Sequence, residues 1–185
     1  MKRILVMCLV VCFAVMGISG VASAATKAGD TTVFGTLSYD ATTFEPESGS
    51  SLDISIFAAS FGVGRFFTDS FQTEIGLIGQ TMTLSNGGSE TIQQLGLAVR
   101  PNFHFNTAAN TEPYIGLTLG YLWADLFDES TGAFLYGGQA GIKQFMNDNS
   151  YLQFEAGYTV STLDFDGMDL DTGDLRLSVG FGCKF

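Results

Sequence analysis

Apolar and polar residues alternate along most of this chain, and the alternation is cleanest at its end. In residues 174–185, Leu175, Leu177, Val179, Phe181, Cys183 and Phe185 fall on one face of an extended strand, with Arg176, Ser178, Gly180, Gly182 and Lys184 on the other. On an open sheet edge, an apolar face carried to the last aromatic residue would invite pairing with other chains. In a closed barrel surrounded by lipid, such a face meets hydrocarbon while the backbone pairs on both sides.

Seven more segments read the same way. Residues 31–42 place Val33, Leu37, Tyr39 and Ala41 opposite Phe34, Thr36 and Ser38. Residues 51–67 carry aromatics on both faces; Leu52, Ile54, Ile56, Ala58, Ser60 and Phe66 are assigned to lipid, leaving Asp53, Ser55, Phe57, Phe61 and Arg65 inside. In 71–84, Phe71, Ile75 and Leu77 oppose Gln72, Glu74, Gly76 and Gln80; Met82 and Leu84 change parity, as at a bulge or above the lipid. Residues 91–105 set Leu95, Leu97, Val99, Pro101, Phe103 and Phe105 against Gln94, Arg100, Asn102 and His104, with Pro101 unable to donate a ladder hydrogen bond. The remaining three are 113–125 (Ile115, Leu117, Leu119, Tyr121 and Trp123 outward), 133–146 (Phe134, Tyr136 and Ile142 outward, Gln139 and Lys143 inward) and 151–163 (Leu152, Phe154, Tyr158 and Val160 outward, Gln153 and Glu155 inward). Between them lie polar, Gly- or Asn-rich connectors, of which 164–173 is the longest loop expected. The fold class is therefore all-β: an eight-stranded antiparallel up-and-down transmembrane β-barrel, in which an even strand count returns the last strand beside the first.

Residues 1–24 stand outside this pattern. Lys2 and Arg3 precede an almost uninterrupted apolar run from Ile4 to Val21, and Ala22-Ser23-Ala24 has the small-x-small form of a leader-peptidase site. The expected organisation is a signal peptide at 1–24, a short flexible periplasmic arm at 25–30 and the barrel at 31–185. Cys8 and Cys12 leave with the leader, so Cys183 has no intrachain disulfide partner. Removing the leader takes away Lys2 and Arg3 and no acid, leaving 6 Lys and Arg against 19 Asp and Glu, a formal charge of −13. That balance argues against a nucleic-acid partner.

A final strand of alternating apolar residues ending in Phe resembles the assembly signal of bacterial outer-membrane β-barrel proteins, with Val179, Phe181 and Phe185 on the matching positions. The mature chain as a whole resembles the small eight-stranded barrels related to the transmembrane domain of outer membrane protein A. The resemblance implies an outer-membrane location reached by export through the inner membrane. It places 68–70, 106–112 and 147–150 on the periplasmic side with both termini, and the other connectors outside. It also implies partners: outer-membrane lipids and lipopolysaccharide, periplasmic chaperones and an assembly machine that reads the last strand. A monomer is expected. The peptidoglycan-binding domain of the larger relatives has no counterpart in the sequence.

An eight-stranded barrel is narrow, so inward charges should pair. A hairpin hinged near 87 and 88 brings Glu74 opposite or diagonal to Arg100, and one hinged near 149 brings Lys143 near Glu155. These four are the expected interior ion pairs. Two aromatic girdles are expected, Tyr39, Tyr121, Trp123 and Phe134 at the outer rim and Phe66, Phe71, Phe103, Phe105, Tyr151 and Phe185 at the inner. Asp164, Asp166, Asp169 and Asp171 miss the EF-hand spacing and read as solvated acids. No HExxH, CxxC or phosphate-loop motif occurs, and the single histidine, His104, lies toward the periplasmic end, away from the outer leaflet where lipid-modifying chemistry would occur. No catalytic residue, cofactor or metal is implied. The expected role is envelope structure, with slow passage of water or small ions as a weaker option. The alternatives are a secreted soluble barrel binding a small hydrophobic ligand and an outer-leaflet lipid-modifying enzyme. Intact-mass analysis of protein extracted from membranes is expected to give a chain that begins at Ala25.

Overall fold

The computed structural model describes residues 26–44, 52–85, 89–105, 107–126, 129–165 and 168–185. The leader and the tips of the outer connectors lie outside this set. So do the side chains of Leu52, Asp53, Ile54, Leu84, Asp164, Asp169 and Asp171 and all of Asp166.

Eight strands follow one another in a closed barrel: β1 (Thr31–Phe44), β2 (Leu52–Phe66), β3 (Phe71–Ser85), β4 (Ser89–His104), β5 (Thr111–Leu126), β6 (Glu129–Phe145), β7 (Ser150–Phe165) and β8 (Met168–Lys184). Each pairs antiparallel with its sequence neighbours, and β8 returns to β1. The segment 164–173 is mostly strand, with β7 and β8 paired out to Phe165↔Met168, so the long loop expected there is instead an extended hairpin.

Side-chain alternation follows from the pleat. Leu95, Leu97, Val99, Phe103, Ile115, Leu117, Leu119, Leu175, Leu177, Val179 and Phe181 are all exposed on the outside, forming an apolar band. Phe34, Phe66, Tyr114 and Tyr151 are buried inside. Two assignments need correction. In β2 the parity is reversed: Phe57, Phe61, Val63 and Arg65 point outward, whereas Ala58 and Phe66 are buried. The short turn after β2 fixes this, because Phe66 pairs with Gln72 and must share its inward face. Phe66 therefore leaves the inner girdle for the interior, and so does Tyr151, which is buried and shares the inward face of Phe145, its partner on β6.

The registers of β3 with β2 and β4 run unbroken, so no bulge accompanies Met82. Pro101 leaves a gap: the β4–β5 ladder omits Arg100 and Pro101 but resumes in the same register at Asn102↔Gly116. Following paired residues once around the barrel from Gly180 through Thr36, Ser60, Ile78, Gly96, Leu122, Ala133 and Leu163 returns to β8 at Leu170, a stagger of ten residues. With about 3.3 Å rise per residue and about 4.8 Å between strands, a stagger of ten over eight strands tilts them by roughly 40°.

Closure is concentrated at the end that carries Thr31 and Phe185, the periplasmic end by the resemblance given above. The β1–β8 ladder runs from Thr32↔Lys184 to Ser38↔Ser178. It is completed by Thr31 and Phe185, which exchange both backbone hydrogen bonds at 3.0 and 2.8 Å. Deleting Phe185 removes that last pair and is expected to slow membrane insertion while leaving leader cleavage intact. Adding Val179→Arg and Phe181→Arg places cations on the lipid face at about 2–4 kcal/mol each near the midplane, and insertion is expected to fail. Pulse-chase fractionation with heat-dependent gel mobility checks both outcomes.

Candidate functional site

The inward positions of the periplasmic half carry long polar side chains that meet across the lumen. Glu74 on β3 lies directly opposite Arg100 on β4 in the hairpin register, and Arg100 Nη2 donates to Glu74 Oε2 at 2.8 Å. The other Glu74 oxygen accepts from Lys143 Nζ of β6 at 3.0 Å. Arg100 Nη1 continues to Glu155 Oε1 of β7 at 3.1 Å. Tyr114 of β5 donates to Glu155 Oε2 at 2.6 Å, and Gln153 Nε2 reaches both Tyr114 Oη and Glu155. The result is a chain of alternating charge, Lys143, Glu74, Arg100 and Glu155, with two cations balancing two carboxylates. Glu74 is 0% exposed and Lys143 1% exposed, so each must be paired to remain charged.

The structure thus separates one pair expected from the sequence. Lys143 faces Gln153 in the β6–β7 register and Glu155 faces Gly141, leaving Lys143 and Glu155 diagonal. Their partners lie on strands three positions away around the barrel, Glu74 for Lys143 and Arg100 for Glu155. Sequence reasoning also passed over Tyr114, Gln72 and Glu112. Inward parity in the fifth strand would have singled out Tyr114, whereas Glu112 was hidden by being placed in a turn.

Aromatic rings pack around the ions. Arg100 Cζ sits 4.9 Å above the Phe34 ring, and Lys143 Nζ lies 5.2 Å and 5.5 Å from the Tyr151 and Tyr114 rings. The rings lie close to the wall where glycine has no Cβ: one on Gly141 would come within 2.5 Å of Tyr114 Oη, and one on Gly182 within 2.2 Å of the Tyr151 ring. His104 stacks on Tyr114 at 5.2 Å between centroids, and its Nε2 lies 3.0 Å from Gln72 Oε1. This places it deep in the periplasmic half.

Toward the outer half the interior holds the buried apolar residues Ala58, Ile78, Ala98, Leu122, Ala133 and Leu135 beside a polar cluster in which Arg176 donates to Asp174 and Gln80, and Gln80 to Gln94. A cavity of about 60 Å³ lies above Arg100 and Glu155 and reaches Arg176 and Ser178, room for a few waters. Among the described residues no group of three or more His, Cys, Asp or Glu could hold a metal.

A closed eight-stranded sheet with an apolar exterior and an ion-paired interior defines an integral membrane β-barrel. The chain matches the family described as outer membrane protein beta-barrel domain over residues 10–185 and belongs to it. It is an outer-membrane β-barrel. No curated protein matches. Among solved structures it is similar to the outer membrane protein OprG from Pseudomonas aeruginosa, at 17% identity and a TM-score of 0.57, covering 87% of this chain and 98% of that one. It is also similar to Neisserial surface protein A, at 18% identity and a TM-score of 0.55, covering 85% and 98%. At these identities the likeness is one of fold. Membership of an outer-membrane family replaces the secreted soluble-barrel alternative.

Removing one partner from a buried ion pair costs on the order of 3–5 kcal/mol. Glu74→Gln and Lys143→Met are therefore expected to be strongly coupled in a double-mutant cycle on unfolding from lipid vesicles. The coupling between Lys143→Met and Glu155→Gln is expected to be smaller, because their charges meet only through Glu74 and Arg100.

Proposed function

We propose that this protein serves the envelope as a monomeric structural barrel whose lumen is closed, with transport limited to slow leakage of water or small ions. The observation that carries this reading is the cross-lumen chain Lys143, Glu74, Arg100 and Glu155, which joins β6 to β3 and β4 to β7 through the barrel centre. An ion crossing this layer would have to displace a guanidinium and an ammonium from the carboxylates that neutralise them, in a space where water cannot substitute. A water molecule meets the weaker barrier, since it can exchange hydrogen bonds with Gln153, Tyr114 and Glu155 in turn.

Assembly fits the same reading. Val179, Phe181 and Phe185 provide an apolar edge that the assembly machinery would recognise before β8 pairs with β1. Lipopolysaccharide and lipid acyl chains are then the neighbours of the outer surface. In place of a lipid-modifying site, the sole histidine is held among Gln72, Tyr114 and Phe66, far from the outer leaflet.

Single-channel recording in planar bilayers tests the closed lumen. No reproducible conductance steps are expected from the purified monomer. Large, uniform steps scaling with monomer concentration would overturn the reading.

A further inference from the structure

Residues 26–30, expected as a flexible arm, lie across the periplasmic mouth. Ala28 N–H donates to Asp69 Oδ1 at 2.9 Å and Gly29 N–H to Phe66 O at 2.8 Å. Gly29 has a φ of 95°, the left-handed region that turns the arm into β1. Thr26 is 2% exposed, and its Oγ1 donates to Glu112 Oε1 at 3.1 Å. The arm is therefore seated on a carboxylate that is itself fully buried.

The second oxygen of that carboxylate, Oε2, has no hydrogen bond among the described residues. Facing it at 3.7 Å is His104 Nδ1, which also has none. The other side of the ring is settled by its neighbours. Gln72 Nε2 donates to Thr32 Oγ1, and Lys143 Nζ donates to Gln72 Oε1. Gln72 Oε1 is thus an acceptor, and His104 carries a proton on Nε2 to bond it. Without a further proton, Nδ1 and Oε2 are two lone-pair groups aimed at each other in a dry site. The surrounding charges do not answer them. Lys143 of β6 is engaged by Glu74 of β3, and Lys184 of β8 approaches Asp30 of the arm. Arg100 of β4 is shared by Glu74 and Glu155 of β7. The remaining titratable neighbours are phenols, Tyr114 of β5 stacked on the ring and Tyr151 of β7 beside Lys143. One negative charge is left over, on Glu112, and one proton removes it.

We propose that His104 and Glu112 together form a proton-binding site, in which one proton held between Nδ1 and Oε2 neutralises the folded barrel's periplasmic layer and couples the docked arm to pH. A proton on Oε2 makes a carboxylic acid donating to a neutral imidazole; a proton on Nδ1 makes an imidazolium donating to a carboxylate. Both arrangements satisfy every donor and acceptor of the pair, so the site is defined by its proton count and not by the atom that carries it. In both, Oε1 remains free to accept from Thr26. Loss of the proton leaves a buried, uncompensated carboxylate against a lone pair directly beneath Thr26, and the arm loses its seat. In the unfolded chain a glutamate ionises near pH 4 and a histidine near 6.5, so above about pH 7 neither holds a proton. The folded barrel holds one. Folding therefore takes up one proton in this range, and the stabilisation it brings is fully present below about pH 6.5 and is lost as the pH rises, about tenfold in the unfolding equilibrium per pH unit, until the folded pair releases its proton.

The test uses the full mature chain refolded into lipid vesicles and unfolded with urea at pH values from about 7 to 9, in the wild type and in Glu112→Gln, whose amide donates to Nδ1 without taking up a proton. The wild-type folding constant is expected to fall about tenfold per pH unit relative to the variant. Hydrogen exchange of the 26–30 amides is expected to rise relative to the variant over the same range. Parallel pH profiles, or an arm equally protected in both proteins at every pH, would overturn the proposal. A second measurement needs only the wild type. At about pH 8 a free imidazole and a free carboxyl have both lost their protons, so the folded barrel should show either an imidazolium in the nitrogen NMR signals of its only histidine or a protonated carboxyl band in the infrared. A neutral ring together with no protonated carboxyl would overturn the proposal.

Discussion

Within hydrocarbon every backbone N–H and C=O must find its partner inside the protein, and this chain meets that requirement only by closing β8 on β1. The closure is uneven. Its ladder lies between Thr31–Ser38 and Ser178–Phe185, at the periplasmic end. The same end holds the interior ions, the aromatic rings that pack on them and the arm at 26–30. Asp30 and Lys184, on the two strands flanking the seam, approach to 3.5 Å and join arm to seam. Backbone closure, interior electrostatics and arm docking thus reinforce one another in one half of the molecule.

The stagger of ten gives the interior its character. Eight strands leave a lumen that side chains fill and that Arg, Lys and Glu can bridge. Alternating charges across that width satisfy one another, and aromatic rings take up the space beside them, lying on glycine where a Cβ would collide. Breaking any member strands its neighbour, at a cost on the order of 3–5 kcal/mol for a dry pair. In the outer half a cavity of about 60 Å³ remains, lined by Ala58, Ile78 and Leu135 together with Arg100, Glu155 and Arg176.

These two halves explain how a barrel of this family can be stable without an evident passage. The periplasmic layer pairs Lys143 and Arg100 with Glu74 and Glu155 and so balances its charges. The apolar exterior provides the contact with lipid, and Arg65 at its periplasmic border can extend its charged head toward water. OprG and Neisserial surface protein A share the fold at under 20% identity. What this barrel does depends on its own inward residues.

The sequence by itself determined the number of strands, that both ends of the barrel domain lie at the same end of the barrel, and the lipid-facing set of seven strands. Alternation is a property of each strand separately, so Leu95 to Phe105 and Leu175 to Phe185 declare their faces without reference to the fold. It also determined the Glu74–Arg100 pair, which depends on one hairpin. β2 was misread because Phe57, Phe61 and Phe66 place aromatics on both faces, and only its pairing with β3 decides between them. The partners of Lys143 and Glu155 were out of reach for a deeper reason. Which residues meet across the lumen depends on the stagger summed over all eight strands, a quantity that no local pattern contains. The tertiary structure alone decided that Lys143 meets Glu74, that Arg100 meets Glu155, and that the arm brings Thr26 to Glu112.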